Sequence, residues 1–236
     1  VYRNPDHKDA LLVCPSNGCR TMQEVFAKNF KDHSTREFLG YRPLKGIEKD
    51  AKTKKNVQVF EERYEYFTWS QVETQIKAIG SAIESLGLAP AKSQFRDYKL
   101  KFVGIHSKNT THWILLDIAN MMYGYTTMPI YDTLGEEAVD HMLNETETST
   151  IFISADQIKK HCKRIRSGEA PHLKNLVVMD ENVLDDADLK DLEGISWFKW
   201  SQILEEGNKN IRPYPKVVPE DIVCFSYTSG TTGKPK

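Results

Sequence analysis

The sequence predicts an α/β fold in which a layered, mostly parallel sheet carries helices on both faces. First, from residue 68 onward, short apolar runs of strand length alternate with longer segments whose apolar residues recur at helical spacing. Second, capping or turn residues separate these segments. Third, 236 residues of which 39% are hydrophobic can bury one large core. Alternating strands and helices need right-handed crossovers, which give parallel strands covered on both faces.

The first predicted helix begins after Thr68. Residues 68–71, Thr-Trp-Ser-Gln, match a capping box, in which the threonine and glutamine side chains bind backbone N–H groups at the start of a helix. Gly87 ends the pattern, as glycine often does after a helix. The apolar residues between these signals predict one buried face: Val72, Ile76, Ile79, Ile83 and Leu86.

Further strands and helices are predicted in alternation. The strands are 101–107, 125–131, 148–154 and 173–179. After the first of them, Asn109 is predicted to cap a helix that runs to Tyr123 and ends before Gly124. A second helix is predicted at 156–166, after a capping pattern that begins at Ser154.

The turn after the strand at 125–131 carries another capping pattern. Residues 133–136, Thr-Leu-Gly-Glu, have the threonine and glutamate of a capping box, so a helix is predicted to begin there. The residues assigned to this strand-to-helix turn are Tyr131, Asp132, Thr133 and Gly135. For Asp132 and Thr133 a structural role in the turn is favoured over direct catalysis.

The charge balance argues against partners that need a strong global field. The chain has 32 basic and 33 acidic side chains and a net charge of −1, so binding of nucleic acid or of a strongly anionic membrane is not predicted. The lysine-rich stretch 45–55 also contains Glu48 and Asp50, and a solvated loop is predicted there. No apolar run reaches the ~18 residues expected of a membrane span.

The cysteines and histidines predict neither a metal site nor a general base. Four cysteines without a CxxC pair are predicted to be reduced thiols, and Cys14, Cys19 and His33 lack a fourth zinc ligand at finger spacing. The acidic stretch 180–191 lacks the glycine and terminal glutamate of a calcium loop. Five scattered histidines, which pair with no obvious nucleophile, are predicted to be structural or exposed: His106, His112, His141, His161 and His172.

Residues 227–236 form a hydroxyl-rich segment hinged by two glycines, named here the Thr/Gly string. Its residues are Tyr227, Thr228, Ser229, Gly230, Thr231, Thr232, Gly233, Lys234, Pro235 and Lys236. The glycines allow positive φ and turn successive N–H groups toward one point, while the hydroxyls and lysine add donors and positive charge. These are the groups that hold a polyphosphate.

A predicted buried strand at 221–227, which follows Pro219, leads into the string. The string would then leave the carboxyl end of a strand, where ligands of open α/β sheets bind. It is not a Walker A loop, because Thr228 stands where that pattern needs glycine and Pro235 where it needs serine or threonine. A short Ser/Thr/Gly stretch by itself also suits a flexible loop.

The Thr/Gly string resembles the phosphate-binding motif of the adenylate-forming superfamily, which includes acyl-CoA synthetases, adenylation domains of peptide synthetases, and luciferases. Residues 128–139, Met-Pro-Ile-Tyr-Asp-Thr-Leu-Gly-Glu-Glu-Ala-Val, resemble the Pro-Leu-Tyr-Asp-Thr-Leu-Gly segment of the long-chain fatty acyl-CoA synthetases. Residues 109–113 fall where that family has Asn-x-x-Glu-Trp, with His112 in place of the glutamate. Residues 38–42 are similar to its Leu-Gly-x-Arg segment.

The resemblance implies a ligase that condenses a fatty acid with ATP to an acyl-adenylate and pyrophosphate, and then transfers the acyl group to CoA. ATP, Mg²⁺ and CoA are implied as its substrates and cofactor. Residues 1–236 would be the incomplete N-terminal part of the large AMP-binding domain. The glutamate near adenine and magnesium, the ribose-binding aspartate and the adenylation lysine of the family would all lie beyond Lys236. No catalytic residue is therefore assigned, and the fragment alone is expected to be inactive.

The resemblance also implies roles for single residues. The backbone of 229–233 would hold the β- and γ-phosphates, Lys234 would add charge, and Thr228 is a candidate Mg²⁺ ligand. The hydroxyls implied in phosphate binding are Thr228, Ser229, Thr231 and Thr232. Family location implies the cytosol or the cytosolic face of the endoplasmic reticulum or peroxisome, with peripheral membrane association.

Two alternative functions remain open. One is another adenylate-forming ligase that activates a medium-chain, aryl or amino acid. The other is a non-catalytic fragment that binds a nucleotide or an acyl group. The segment at 128–139 favours the long-chain fatty acyl-CoA synthetases over the other adenylate-forming ligases.

Overall fold

A computed structural model describes residues 14, 18–52, 56–95, 98–184, 189 and 192–228. The α-helices of these residues are α1 Met22–Asp32, α2 Trp69–Ser85, α3 Thr111–Tyr123, α4 Glu136–Glu145, α5 Ile158–Arg166 and α6 Trp200–Lys209. Their strands are β1 Glu37–Tyr41, β2 Leu44–Lys49, β3 Asn56–Phe60, β4 Glu65–Thr68, β5 Lys92–Phe95, β6 Tyr98–Leu100, β7 Phe102–His106, β8 Thr126–Ile130, β9 Thr150–Ile153, β10 Asn175–Val178 and β11 Ser196–Lys199. Short 3₁₀ turns are Ala155–Gln157 and Glu181–Val183.

Five of the strands form one sheet with the order β11-β10-β9-β7-β8. Every strand pair described in this sheet is parallel. β7 lies between β8 and β9, and all of its residues are buried. Parallel neighbours need crossover connections, which α3, α4 and α5 supply. The predicted α/β fold with a mostly parallel sheet is confirmed.

Helices cover both faces of this sheet, as predicted. On one face, Val103 and Ile105 of β7 join a core formed with α2, α3 and α6. On the other face, Phe102 of β7 joins a core formed with α4 and α5. β10 is divided in the same way, with Val177 in the first core and Leu176 in the second. Because side chains alternate along a strand, β7, β9 and β10 each contribute to both cores.

Helices α2 and α6 cross in close contact at Gly207. A Cβ atom at this position would lie 1.8 Å from the carbonyl oxygen of Ala78, so only glycine fits. Gly80 of α2 is similarly close to the ring of Tyr123, which a Cβ atom would approach to 2.1 Å. These two glycines allow α2 to pack tightly between α6 and α3.

The residues before α2 form α1 and two antiparallel strand pairs, β1–β4 and β2–β3. A cluster of aromatic rings joins this region to the main core. Phe38 of β1 stacks on Trp69, the first residue of α2, with ring centroids 3.7 Å apart. Phe26 and Phe30 of α1 pack around the same indole ring. The main core thereby extends to α1 and β1.

Only one of the predicted capping boxes is formed as expected. Thr68 and Gln71 make both hydrogen bonds of the box at α2. The predicted cap of α3 was wrong by one residue, because Thr110 and not Asn109 accepts from the backbone of the first turn. Ser154 makes no cap, since its hydroxyl donates to Asp156 and a 3₁₀ turn precedes α5.

The capping box predicted at Thr133 was also wrong. Gly135 is the N-cap of α4, and no side chain caps this helix. Leu134 N donates to the carbonyl of Tyr131 at 3.1 Å, which makes residues 131–134 a tight turn of their own. Because this turn uses Thr133 before the helix begins, Thr133 cannot act as its cap.

The strand predicted at 221–227 is not a regular strand. It forms one isolated parallel bridge to β8, between Cys224 and Thr127. Thr127 N donates to the carbonyl of Val223 at 2.9 Å, and Phe225 N donates to the carbonyl of Thr127 at 2.9 Å. The segment therefore lies beside β8, a neighbour that was not predicted. It is paired on one side only and for a short length, which leaves Cys224 exposed while Tyr227 turns into the core.

Among the described residues, no helix is both long and apolar enough to cross a bilayer.

Candidate functional site

The carboxyl ends of the parallel strands border an open cleft of about 1260 Å³, named here the edge cleft. Its floor includes the residues that follow β7, β9 and β10, among them Ser107, Ser154 and Asp180. Its opposite wall is the β2–β3 pair. There Leu44 and Phe60, which are register partners and so share a face, are each 40% exposed. Ligands of open α/β sheets bind at this edge.

The Thr/Gly string begins beside β8 and is described only at its first two residues. Tyr227 is buried and Thr228 is exposed. The remaining residues, Ser229, Gly230, Thr231, Thr232, Gly233, Lys234, Pro235 and Lys236, lie outside the described part of the chain. Because the preceding segment runs parallel to β8, Tyr227 and Thr228 lie toward the edge at which the sheet strands end.

Tyr227 is anchored on α4. Its phenol donates to Oε2 of Glu145 at 2.5 Å. Its ring packs edge-on against Phe225 and His141, with centroids 5.5 and 6.2 Å apart. Burial, with the Glu145 carboxylate beside it, raises the pKa of the Tyr227 phenol. The tyrosine therefore stays neutral and acts as a hydrogen-bond donor that fixes the start of the string.

A buried polar group holds the segment before the string against β8. Asn120 Nδ2 donates to Thr127 Oγ1 at 3.0 Å, and this hydroxyl donates to Asp117 at 2.8 Å. Partial burial raises the pKa of the Asp117 carboxyl group. Shielding of part of the Cys224 side chain from water raises the pKa of its thiol, and the negative charge of Asp117 adds to this effect. Thr127 thus bonds to α3 through its side chain and to the incoming segment through its backbone.

The turn residues Tyr131, Asp132, Thr133 and Gly135 lie between β8 and α4. Tyr131 is 55% exposed, and its carbonyl closes the turn with Leu134. Gly135 accepts from the backbone of Val139 at 3.2 Å and so starts α4. The structural role predicted for this turn and the absence of a catalytic role for Asp132 and Thr133 stay predictions.

Two histidines that look scattered in the sequence are in contact. His106 ends β7 and His161 lies in α5, and Nδ1 of the first is 2.9 Å from Nε2 of the second. Arg164 bonds to His161, and its Nε donates to the Asp140 carboxylate of α4. The contact between these two histidines was not predicted. No local pattern could have revealed it, since the contact joins residues 55 positions apart.

Burial dominates the electrostatics of this pair. It lowers the pKa of His106 to about 4, with the cations Arg164 and Lys160 adding to the effect. Burial also holds the pKa of His161 well below its ordinary value of 6.5. Both rings are therefore neutral at pH 7.

The three remaining histidines of the prediction lie apart from this pair. The His112 ring lies 4.7 Å from that of Trp200, and burial lowers the pKa of His112. His141 packs on Tyr227 and lies 3.6 Å from the Glu145 carboxylate. His172 is exposed.

A magnesium site built from protein side chains alone is not seen in the described part of the chain, where no three histidine, cysteine or acidic residues cluster. Mg²⁺ commonly binds through substrate phosphates and only one or two protein oxygens. The Thr228 hydroxyl, at the start of the string, is an oxygen of the right type for that mode of binding. The residues present therefore fit a magnesium ion held mainly by a polyphosphate.

The parallel sheet and its two helical layers define an α/β domain with an open cleft at the carboxyl edge of its strands. The family model described as AMP-binding enzyme matches residues 47–236. This match covers more than half of the chain, so the protein belongs to the AMP-binding enzyme family.

Similar curated proteins are acyl-CoA ligases. Long chain acyl-CoA synthetase 2 of Arabidopsis thaliana is 29% identical over 238 residues, which is 100% of this chain and 32% of that protein. Long-chain-fatty-acid–CoA ligase 1 of Cavia porcellus is 31% identical over 231 residues, 97% of this chain and 30% of that protein. The chain thus spans about a third of the length of these relatives.

Similar solved structures have the same fold. The adenylation domain of a carboxylate reductase from Mycobacterium chelonae superposes with a TM-score of 0.74 at 18% identity, over 93% of this chain and 34% of that domain. The A–PCP didomain of carboxylic acid reductase from Segniliparus rugosus, solved in complex with AMP, superposes with a TM-score of 0.67 at 19% identity, over 94% of this chain and 32% of that one. The expected likeness to the large domain of adenylate-forming enzymes is confirmed at the level of the fold.

Proposed function

We propose that this chain is the N-terminal part of the adenylation domain of a long-chain fatty acid–CoA ligase. In this proposal residues 1–236 supply the phosphate-binding string and the layers that carry it. The rest of the large domain and a small C-terminal domain would correspond to the part of the relatives that this chain does not span.

The observation that carries the proposal is the course of the segment that leads into the Thr/Gly string. In a chain of the AMP-binding enzyme family, the string follows a segment bonded to β8 and directed toward the carboxyl edge. The backbone N–H groups of 229–233 and the neighbouring hydroxyls would surround the β- and γ-phosphates of ATP. Lys234 would add positive charge. Fixed donors at such a point stabilise the charge that develops on a departing pyrophosphate.

The proposed reaction has two steps. In the first, a carboxylate oxygen of the fatty acid attacks the α-phosphorus of ATP, the bond to the β-phosphate oxygen breaks, and pyrophosphate leaves. In the second, the CoA thiolate attacks the acyl carbon, and AMP leaves. Both reactants of the first step are anions, so the string must relieve their repulsion and hold the triphosphate in line.

Magnesium fits this scheme as a companion of the triphosphate. It would be held by phosphate oxygens and, in this chain, by the Thr228 hydroxyl. When bound it neutralises phosphate charge.

A long-chain fatty acid is the proposed substrate. The long-chain acyl-CoA synthetases among the relatives and the segment at 128–139 favour it. By the same likeness, we place the protein in the cytosol or at the cytosolic face of an internal membrane. One relative is described as peroxisomal, long chain acyl-CoA synthetase 6 of Arabidopsis thaliana.

A panel of acids tests this assignment. We expect the full-length protein with MgATP to exchange labelled pyrophosphate into ATP when palmitate-like acids are present. Exchange with aryl or amino acids and none with fatty acids would move the protein to another adenylate-forming class. ATP binding without exchange for any acid would indicate a non-catalytic binding protein. Residues 1–236 alone are expected to give no exchange, because the glutamate, the ribose-binding aspartate and the adenylation lysine implied by the resemblance would lie beyond Lys236.

A further inference from the structure

Arg164 is a buried arginine whose guanidinium group joins helices α4 and α5. Its side chain is 3% exposed. Nε donates to the Asp140 carboxylate, and Nη2 donates to the Glu136 carbonyl at 3.4 Å, both in α4. Nη1 lies 3.3 Å from Nδ1 of His161 in α5. The guanidinium fork thus contacts three separate acceptors, which the compact ammonium group of a lysine could not match in the same geometry.

Arg164 also sets the direction of the hydrogen bonds through the two histidines. A guanidinium group only donates, so Nδ1 of His161 must accept. Neutral His161 then carries its proton on Nε2 and donates to Nδ1 of His106 at 2.9 Å. His106 in turn carries its proton on Nε2, a buried atom without a partner in the described part of the chain. One arginine therefore fixes both tautomers and ties α4 and α5 to the end of β7.

Helix α4 connects this group to the Thr/Gly string. Arg164 binds the first half of α4, at Glu136 and Asp140. Tyr227 packs on the second half, at His141 and Glu145. A shift or rotation of α4 would therefore move the anchor of the string.

We propose that Arg164 is a positioning residue for the Thr/Gly string and that it acts through α4. The inference rests on the proposed function, because it links Arg164 to the binding of ATP phosphates. None of the described contacts of Arg164 is to the string itself. Its three-way fork holds α4 in the orientation that seats Tyr227. Loss of these three contacts should therefore lower kcat/KM for MgATP and leave KM for the fatty acid unchanged.

Arg164→Lys tests the proposal, because it keeps the charge and removes the fork. We expect this substitution in the full-length protein to lower kcat/KM for MgATP in pyrophosphate exchange by about 10- to 100-fold, with KM for the fatty acid unchanged. Lys163→Gln is the matched control. Lys163 is the neighbouring exposed residue, and it binds the Glu136 carboxylate at 3.0 Å. This control should stay within about twofold of the wild type.

A spectroscopic measurement tests the same geometry without a variant. Ring ¹⁵N spectra of the histidines in the full-length wild-type protein at neutral pH should show His106 and His161 as Nε2–H tautomers. An Nδ1–H tautomer at either residue would overturn the proposal, even if Arg164→Lys fails to fold.

The outcomes separate this proposal from the proposed function. A wild-type protein that shows no exchange contradicts the proposed function. With an active wild type, a folded Arg164→Lys variant that keeps its kcat/KM for MgATP overturns the positioning role alone. If the variant raised KM for MgATP and KM for the fatty acid equally, Arg164 would only stabilise the fold. That result would also overturn the positioning role.

Discussion

The phenol of Tyr227 donates to the carboxylate of Glu145 across 2.5 Å, and this bond attaches the start of the Thr/Gly string to the last turn of α4. The start of the string is thus supported by a helix of the layered domain, and the segment just before it pairs with β8. The fold therefore fixes the point from which the string leaves the sheet.

Tyr227→Phe should remove this bond and keep the ring packing. Because Glu145 is half exposed and can bind water instead, we expect a loss of about 1 kcal/mol in the free energy of unfolding. We also expect weaker use of MgATP. Urea denaturation and pyrophosphate exchange of the full-length protein would measure both. Tyr98→Phe is the control, since Tyr98 is 46% exposed. Equal effects of the two substitutions would contradict the anchoring role of Tyr227.

Thr127→Val should destabilise the join between α3, β8 and the segment before the string. The substitution keeps the shape and leaves the buried Asn120 amide and the partly buried Asp117 carboxylate without their shared hydroxyl. We expect the free energy of unfolding, measured by urea denaturation, to fall by about 1–3 kcal/mol. Thr126→Val is the comparison, because the Thr126 hydroxyl makes a single bond to the carbonyl of Ile222. A larger loss of stability for Thr126→Val than for Thr127→Val would contradict the central role of the Thr127 hydroxyl.

The buried histidine pair should make the protein sensitive to acid. The folded pKa of His106 is about 4 and its ordinary value is 6.5, so the unfolded chain binds more protons between these values. Unfolding is then favoured progressively as the pH falls from about 6.5 to about 4, by up to about 3 kcal/mol at 1.36 kcal/mol per pKa unit. Arg164 and Lys160 oppose protonation of this ring, and Asp156 and Asp132 favour it.

A double variant measures this contribution. His106→Gln with His161→Gln removes both titrating rings, so the slope of thermal stability against pH should flatten over this range. His172→Gln, at an exposed position, is the control and should keep the wild-type slope. An unchanged slope in the double variant would contradict the assignment of two buried neutral histidines.

Gly207→Ala should disrupt the contact between α2 and α6. The added methyl group would lie 1.8 Å from the Ala78 carbonyl, so the two helices must separate. Overpacking of this kind costs about 1–3 kcal/mol or more. Gly46→Ala is the control, because a Cβ atom there meets nothing within 4 Å. If the Gly207→Ala and Gly46→Ala variants had the same denaturation midpoint, the close crossing of α2 and α6 would be contradicted.

Features that depend on near neighbours in the sequence were predicted well. The capping box at Thr68 and the helix from it formed as expected, because their hydrogen bonds join residues three positions apart. The parallel sheet also followed from alternating strand and helix patterns. Thr133 shows the limit of such patterns, since the same residue types made a tight turn ahead of Gly135.

Features that depend on distant residues were not predicted. The His106–His161 pair and the bond from Tyr227 to Glu145 join residues 55 and 82 positions apart. The strand β11 and helix α6 were also not predicted. The spacing of Trp200, Ile203 and Gly207, which are all buried, was an available signal for α6. The phosphate-binding role of the string remains a prediction from its residues and its family.

Pyrophosphate exchange by the full-length protein, with MgATP and a long-chain fatty acid, tests the central claim most directly. If the Thr/Gly string holds the ATP phosphates, Thr228→Ala and Thr231→Ala should each lower exchange about 10-fold or more. Thr74→Ala, whose hydroxyl bonds to a carbonyl on the exposed side of α2, should leave it unchanged. Wild-type protein that neither binds ATP nor exchanges pyrophosphate, or a Thr231→Ala variant with full activity, would contradict the account.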